Sequence, residues 1–248
     1  MKRLKRPGLQ FYVNKLVAGE PFAFVRYGDG EWKVITGHMD EAVLCGRTHH
    51  MNLPGLQNAT AVTLTEHPRR EENFYLATRC AYKGKPGAPE YYAWLQWMWA
   101  HRVDDLEFHD CNVFAEASAE GRLWPFVEAI RNLDALRVVV GPRWLKDLDR
   151  VFPVDVFIEI REVDCWHDAN RIMSRCVEVE PPAFYSISAG VAANPLCHWL
   201  YHYKWYGRQS WILDVGSLWD PFCGVQSRSY HKRLTADVVK SDLGGGRR

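Results

Sequence analysis

The sequence predicts an α/β fold, a single domain built on a mostly parallel sheet with helices on both faces. Two observations predict it. Short apolar runs rich in β-branched and aromatic residues alternate with longer mixed segments along the chain, the pattern of repeated strand-helix units. The clearest run, Val138-Val139-Val140, is apolar at successive rather than alternate positions, as in a strand covered on both faces. The size agrees: 248 residues, 47% apolar and 13% aromatic, suffice for one sizeable core.

Taken in order, residues 22–27 form a short buried strand, and residues 31–37 a short helix. A second strand is expected at 42–47, leading into the polar loop Gly46-Arg47-Thr48-His49-His50. Residues 72–80 read as a strand, followed by a Lys-Gly-Lys-Pro-Gly loop and an aromatic helix opened by Pro89 and running to about His101. A strand is expected at 106–114 and a helix at 123–133, with Pro125 in its first turn. Residues 136–140 are a strand ended by Gly141-Pro142, and Trp144 to about Arg150 a helix. Strands at 154–160, 183–188 and 210–215 complete the sheet, with helices at about 168–177 and 191–206 between them. No repeat or low-complexity linker interrupts the series.

The formal charge of +1 is unevenly spread. Residues 1–8 carry four Lys/Arg and no acid, and residues 227–248 carry six against two acids; the ends together hold +8, so the body holds −7. These basic ends read as solvated, flexible tails, and a contact with a polyanion such as DNA or with an anionic membrane surface is the other reading they admit. No apolar run is long enough to span a bilayer and no signal-peptide pattern opens the chain, so a soluble, cytoplasmic protein is expected. Seven scattered cysteines without a Cys-x-x-Cys pair read as reduced thiols.

Functional expectation centres on Arg26-Tyr27-Gly28-Asp29-Gly30-Glu31, two carboxylates one residue apart on a glycine turn at the carboxyl end of an apolar strand. Open α/β sheets bind ligands at that end of their strands, and a hard cation takes oxygen ligands such as Asp29 and Glu31 together with substrate phosphates. Arg26, a guanidinium within an apolar strand, either binds a diphosphate bidentately or pairs with the neighbouring acids. A turn whose acids are solvated or cap the next helix accounts for the same residues. Downstream, Ser188-Ala189-Gly190 place small residues between strand and helix, where free backbone N–H groups suit a phosphate. This is not a Gly-x-Gly-x-x-Gly fingerprint. Asp214 ends the last strand and Asp110 another; each is a candidate general base, and Asn112 a candidate hydroxyl ligand. No Gly-x-Ser-x-Gly elbow is present, which disfavours a serine hydrolase.

The segment Arg26–Glu31, followed by Ile35-Thr36-Gly37-His38, resembles the opening of the GT-D glycosyltransferases, a family first known as a domain of unknown function. Ser186-Ile187-Ser188-Ala189-Gly190 and Asp214-Val215-Gly216-Ser217 resemble its later strand-glycine-helix and closing segments, so the likeness brackets residues 20–224. It implies a Rossmann-like, GT-D-like fold and transfer of a hexose, glucose from UDP-glucose, to a hydroxyl on a glycan or on a hydroxylated base in DNA. By the same resemblance Asp29 and Glu31 hold Mn²⁺ or Mg²⁺, and Arg26, Gly28, Gly30, His38, Ser188, Ala189 and Gly190 bind the nucleotide sugar. The family more often has His near the position of Ser217, which leaves the base open between Asp214 and Asp110. A non-catalytic binding module and a nucleotide-sugar hydrolase are the alternatives on the same fold.

Overall fold

The computed structural model describes residues 4–37, 53–66, 73–78, 89–203, 209–234 and 236–243. The strand expected at 42–47, the Arg47-His49-His50 loop and His38 lie outside them.

Among the described residues eight strands form one sheet: β1 (Leu4–Lys5), β2 (Ala23–Tyr27), β3 (Phe74–Thr78), β4 (Phe108–Asp110), β5 (Leu136–Gly141), β6 (Val156–Glu159), β7 (Ala183–Ile187) and β8 (Trp211–Asp214). Their order is β1-β4-β3-β2-β8-β7-β5-β6, and every pairing is parallel. Nine α-helices surround it among the described residues: α1 (Leu9–Val17), α2 (Asp29–Thr36), α3 (Leu53–Thr65), α4 (Pro89–Ala100), α5 (Val113–Ala119), α6 (Trp124–Arg131), α7 (Ala169–Val177), α8 (Ala193–His202) and α9 (Ala236–Asp242).

The strands alternate with period two between two cores. Ala23, Val25 and Tyr27 of β2, with Ala183, Tyr185 and Ile187 of β7, join Trp32 of α2, Trp94 of α4 and Leu196 of α8 on one face. Phe24 and Phe184 point the other way, into a cluster with Tyr12 of α1, Phe114 of α5, Phe126 of α6 and Trp219. Both faces are thus covered, which is why the strands read as continuous apolar runs.

Several elements depart from expectation. The strand expected at 106–114 stops at Asp110, because an Asp110 Oδ1 acceptor takes the Asn112 N–H at 2.9 Å and turns the chain into α5. Residues Arg143–Arg150 form a 3₁₀ rather than an α-helix, and α8 is entered through a 3₁₀ turn at Gly190–Ala192. The described parts of both basic ends are structured. Leu4 and Lys5 pair with Phe108 and His109, while Ser229–Arg233 form a 3₁₀ helix that leads on to α9. His231 in that helix is fully buried, and the Ser227 hydroxyl donates to the Asp220 carboxylate, which also accepts from Trp144 Nε1 at 2.9 Å. Asp220 therefore fastens this segment to the fold. No described helix is long and apolar enough to cross a membrane.

Candidate functional site

Parallel pairing brings the carboxyl ends of all strands to one edge. Tyr27 sits opposite Thr78, Thr78 opposite Asp110, and Ile187 opposite Asp214. The chain leaves the central strand β2 through Gly28, the N-cap of α2, with extended rather than left-handed backbone. A Cβ at Gly28 would lie 3.0 Å from Glu31 Oε2, a tight contact that glycine avoids without moving the carboxylate. That oxygen accepts the Gly28 N–H at 2.7 Å, the reciprocal half of a capping box. Glu31 thus does what the structural reading of the turn expected, with its second oxygen still to be placed. Asp29, one residue into α2, is exposed.

Behind these two acids lies a buried cluster of charge. The Asp214 carboxylate is only 3% exposed and accepts from the backbone N–H groups of Arg26 (3.3 Å) and Gly216 (3.0 Å). Burial pushes its pKa up to about 7, with the Arg26 guanidinium pulling down and Glu31 pushing up. Burial also raises Glu31, against the same Arg26 charge. For Arg26, desolvation opposes the charged form, but Asp214, Cys111 and Glu31 more than offset it and its pKa is raised. The guanidinium packs against Gly216, whose φ of +55° suits glycine and whose missing side chain makes the room: a Cβ there would overlap Arg26 Nη1. Arg26 Nε is buried with no hydrogen-bond partner among the described residues.

A cavity of about 580 Å³ opens over this cluster. Arg26, Gly28, Asp29, Gly30 and Glu31 form one wall, and Gly190, Val215 and Ser217 the wall at β7 and β8. Two further walls complete the lining, and of their residues only Asn112 was a sequence candidate. Cys111 and Asn112 come from the β4–α5 turn and Glu116 from the first turn of α5; Arg228 caps the 3₁₀ helix at 229–233, which supplies Tyr230 and Arg233. Tyr230 is held by a 3.1 Å contact between its hydroxyl and Ser217 Oγ.

The structure therefore unites Arg26, Gly28, Asp29, Gly30, Glu31, Asn112 and Gly190 of the predicted residues. Asp214 lies beneath them as counter-charge to Arg26 and does not line the cavity. Asp110 lines a neighbouring hollow instead. Ser188 and Ala189 are buried, with only Gly190 of that turn reaching the cavity. The seven residues 227–233 look like a solvated basic run; the one available signal was Tyr230-His231 within it, an aromatic pair such tails do not need.

Asp29 and the second oxygen of Glu31 are donors of the kind a hard divalent cation takes. No third His, Cys, Asp or Glu joins them in a metal-binding group among the described residues. The set fits a cation that completes its shell with phosphate oxygens and water, as Mg²⁺ commonly does.

No family model and no curated protein sequence matches the chain. Solved structures do. Two are of a domain of unknown function, DUF1792, one selenomethionine-substituted and the other described as having a distinct glycosyltransferase fold. Each is 13% identical, with a TM-score of 0.62 over 89% of this chain and 80% of its own. A third, described as a new glycosyltransferase (DUF1792) from Streptococcus sanguinis, is 12% identical with a TM-score of 0.62, covering 95% of this chain and 93% of its own. The chain has the fold of these structures, the fold that the Arg26–Glu31 resemblance implied.

Proposed function

We propose that this protein is a metal-dependent glycosyltransferase, a single cytoplasmic catalytic domain that moves a hexose from a nucleoside diphosphate sugar, UDP-glucose, to a hydroxyl acceptor. The observation that carries the reading is the gathering of two carboxylates (Asp29, Glu31) and three guanidinium groups (Arg26, Arg228, Arg233) around one cavity at the carboxyl edge of the sheet. Such a mixed lining suits a diphosphate held partly by arginine and partly through a cation. The fold shared with described glycosyltransferases supports the same reading.

Within this reading, Asp29 and Glu31 hold Mn²⁺ or Mg²⁺. When bound, that cation neutralises charge developing on the leaving diphosphate. Arg228 and Arg233 reach the phosphates from the opposite wall. Arg26, locked between Asp214, Glu31 and Gly216, offers a fixed positive charge that needs no rearrangement as the glycosidic bond breaks. Asp214 is then a positioning residue for Arg26.

Calorimetric titration of UDP, UDP-glucose and GDP-mannose, with Mn²⁺ and then with EDTA, tests the proposal on native and Glu31→Gln protein. Metal-dependent binding of one nucleotide, weakened by the substitution, is the expected result. No binding under any condition overturns it. Nucleotide binding without turnover would favour a binding module, and donor consumption independent of acceptor a hydrolase.

A further inference from the structure

Beside the main cavity lies a second hollow of about 300 Å³, at the lower end of the range for ligand pockets, ~300–1,000 Å³. Its polar lining comes from Arg6, Asp110, Asn112, Glu116 and Arg122. Asn112 and Glu116 belong to both hollows. The fold explains their adjacency. Because β1 runs parallel to β4, with Lys5 opposite His109, Arg6 and Gly8 leave the sheet at the same edge as Asp110 and Asn112. The first turn of α5 then carries Glu116 over the ridge between the two spaces.

Charge decides what this hollow suits. Two arginines face two carboxylates, and Arg122 is already engaged by Glu120, with Nε donating at 2.7 Å. A polyanion needs a surplus of cations, which this lining lacks. Donors and acceptors side by side with no surplus of positive charge suit a neutral polyhydroxylated molecule instead.

We infer that the second hollow is the acceptor subsite, that it takes a neutral sugar rather than nucleic acid, and that Glu116 on the shared ridge receives the proton of the attacking hydroxyl. This rests on the transferase reading of the main cavity. In the step, the acceptor oxygen bonds to the anomeric carbon while the bond from that carbon to the diphosphate oxygen breaks. The electron pair leaves with the nucleoside diphosphate, and the acceptor hydroxyl proton passes to the Glu116 carboxylate. Asp110, one of whose oxygens is taken by the Asn112 N–H, holds acceptor hydroxyls with the other.

The test uses the full chain with methyl β-glucoside and methyl β-N-acetylglucosaminide as probes, read by saturation-transfer NMR in the presence of UDP and Mn²⁺. UDP affinity is measured in parallel by calorimetry. Native protein is expected to bind a glycoside; Asp110→Ala and Arg6→Ala should weaken this by about tenfold or more while leaving UDP affinity unchanged. Glu116→Gln should keep both affinities and slow transfer by about 100-fold or more, with the acidic limb of the pH profile, the fall in rate at low pH, removed. Absence of glycoside binding to native protein, or binding indifferent to both substitutions, overturns the subsite even if UDP binds. Binding of a short oligonucleotide that falls in Arg6→Ala replaces the neutral sugar with a polyanion and likewise overturns it. Loss of UDP binding in native protein sinks the donor reading separately, and the role of Glu116 with it.

Discussion

Replacing Arg26 by Met removes the one guanidinium in the buried cluster while keeping a side chain of similar reach. Asp214 and Glu31 then face each other without their cation. Breaking a buried pair in this way costs about 3–5 kcal/mol when the remaining charge is uncompensated. The cost depends on pH, and its sign follows from Asp214. An acid whose native pKa, about 7, exceeds its reference value of 3.8 keeps its proton longer when folded. The native state then binds more protons than the unfolded state between those values, so stability falls as pH rises through that window. At ~1.4 kcal/mol per pH unit the interval sets a ceiling of about 4 kcal/mol. Without Arg26 both acids hold protons to still higher pH, which steepens the fall. Arg26→Met should therefore be destabilised most at pH 8 and least at pH 5, where protonated carboxyls need no partner. For a chain of this size ~2–4 °C accompany each kcal/mol, so a Tm loss of about 6–20 °C is expected at pH 8. Thermal unfolding of both proteins by circular dichroism across pH 5–8 reads it directly. A gap that is absent at pH 8, or constant across the range, would refute the argument that Arg26 is the counter-charge of these acids.

Gly190 and Gly216 share a φ of +55°, but a Cβ meets nothing within 4 Å at Gly190 and the Arg26 guanidinium at Gly216. Alanine at Gly190 should cost only the left-handed strain of about 1–2 kcal/mol, and at Gly216 clearly more, as chemical denaturation will show. Glu31→Gln retains an acceptor for the Gly28 N–H, so its stability should stay within about 1 kcal/mol of native while metal-dependent UDP binding is lost. Glu31→Ala should lose both; equal behaviour of the two variants in calorimetry and melting would contradict the split. Arg228→Ala and Arg233→Ala should each weaken UDP binding by about tenfold or more and flatten its salt dependence, and unaltered affinity would remove the 3₁₀ helix from the donor site.

Much of the framework could be read from the chain. Runs such as residues 22–27, 138–140 and 183–188 became strands because their apolar residues are buried on both faces and their apolar content does not depend on distant partners. The helix α1 was passed over although Leu9, Tyr12, Val13 and Leu16 carry the helical period, and α3, with Pro54, Gly55 and five residues of Ala or Thr, hardly advertises a helix at all. The turn Arg26–Glu31 declared itself because its chemistry is local. The opposite wall did not, since Arg228, Tyr230 and Arg233 are placed by long-range anchors: buried His231, Asp220 gripping Ser227, and Ser217 meeting Tyr230. Asp214 shows the converse. Its position at a strand end suggested a base, whereas only the packed structure reveals the carboxylate turned inward beneath Arg26.

The strand order gives the molecule a particular order of assembly. β8 is the last of the described strands to be synthesised, yet it lies at the middle of the sheet, bonded to β2 on one side and β7 on the other. Until residues 211–214 have left the ribosome, a nascent chain holds two part-sheets, each with an open edge where β8 belongs. Arg26 waits for Asp214 across 188 residues of sequence. A chain cut short before that strand would therefore be inactive and prone to pair its open edges with others, which makes completeness of translation a condition for any chemistry at this sheet edge.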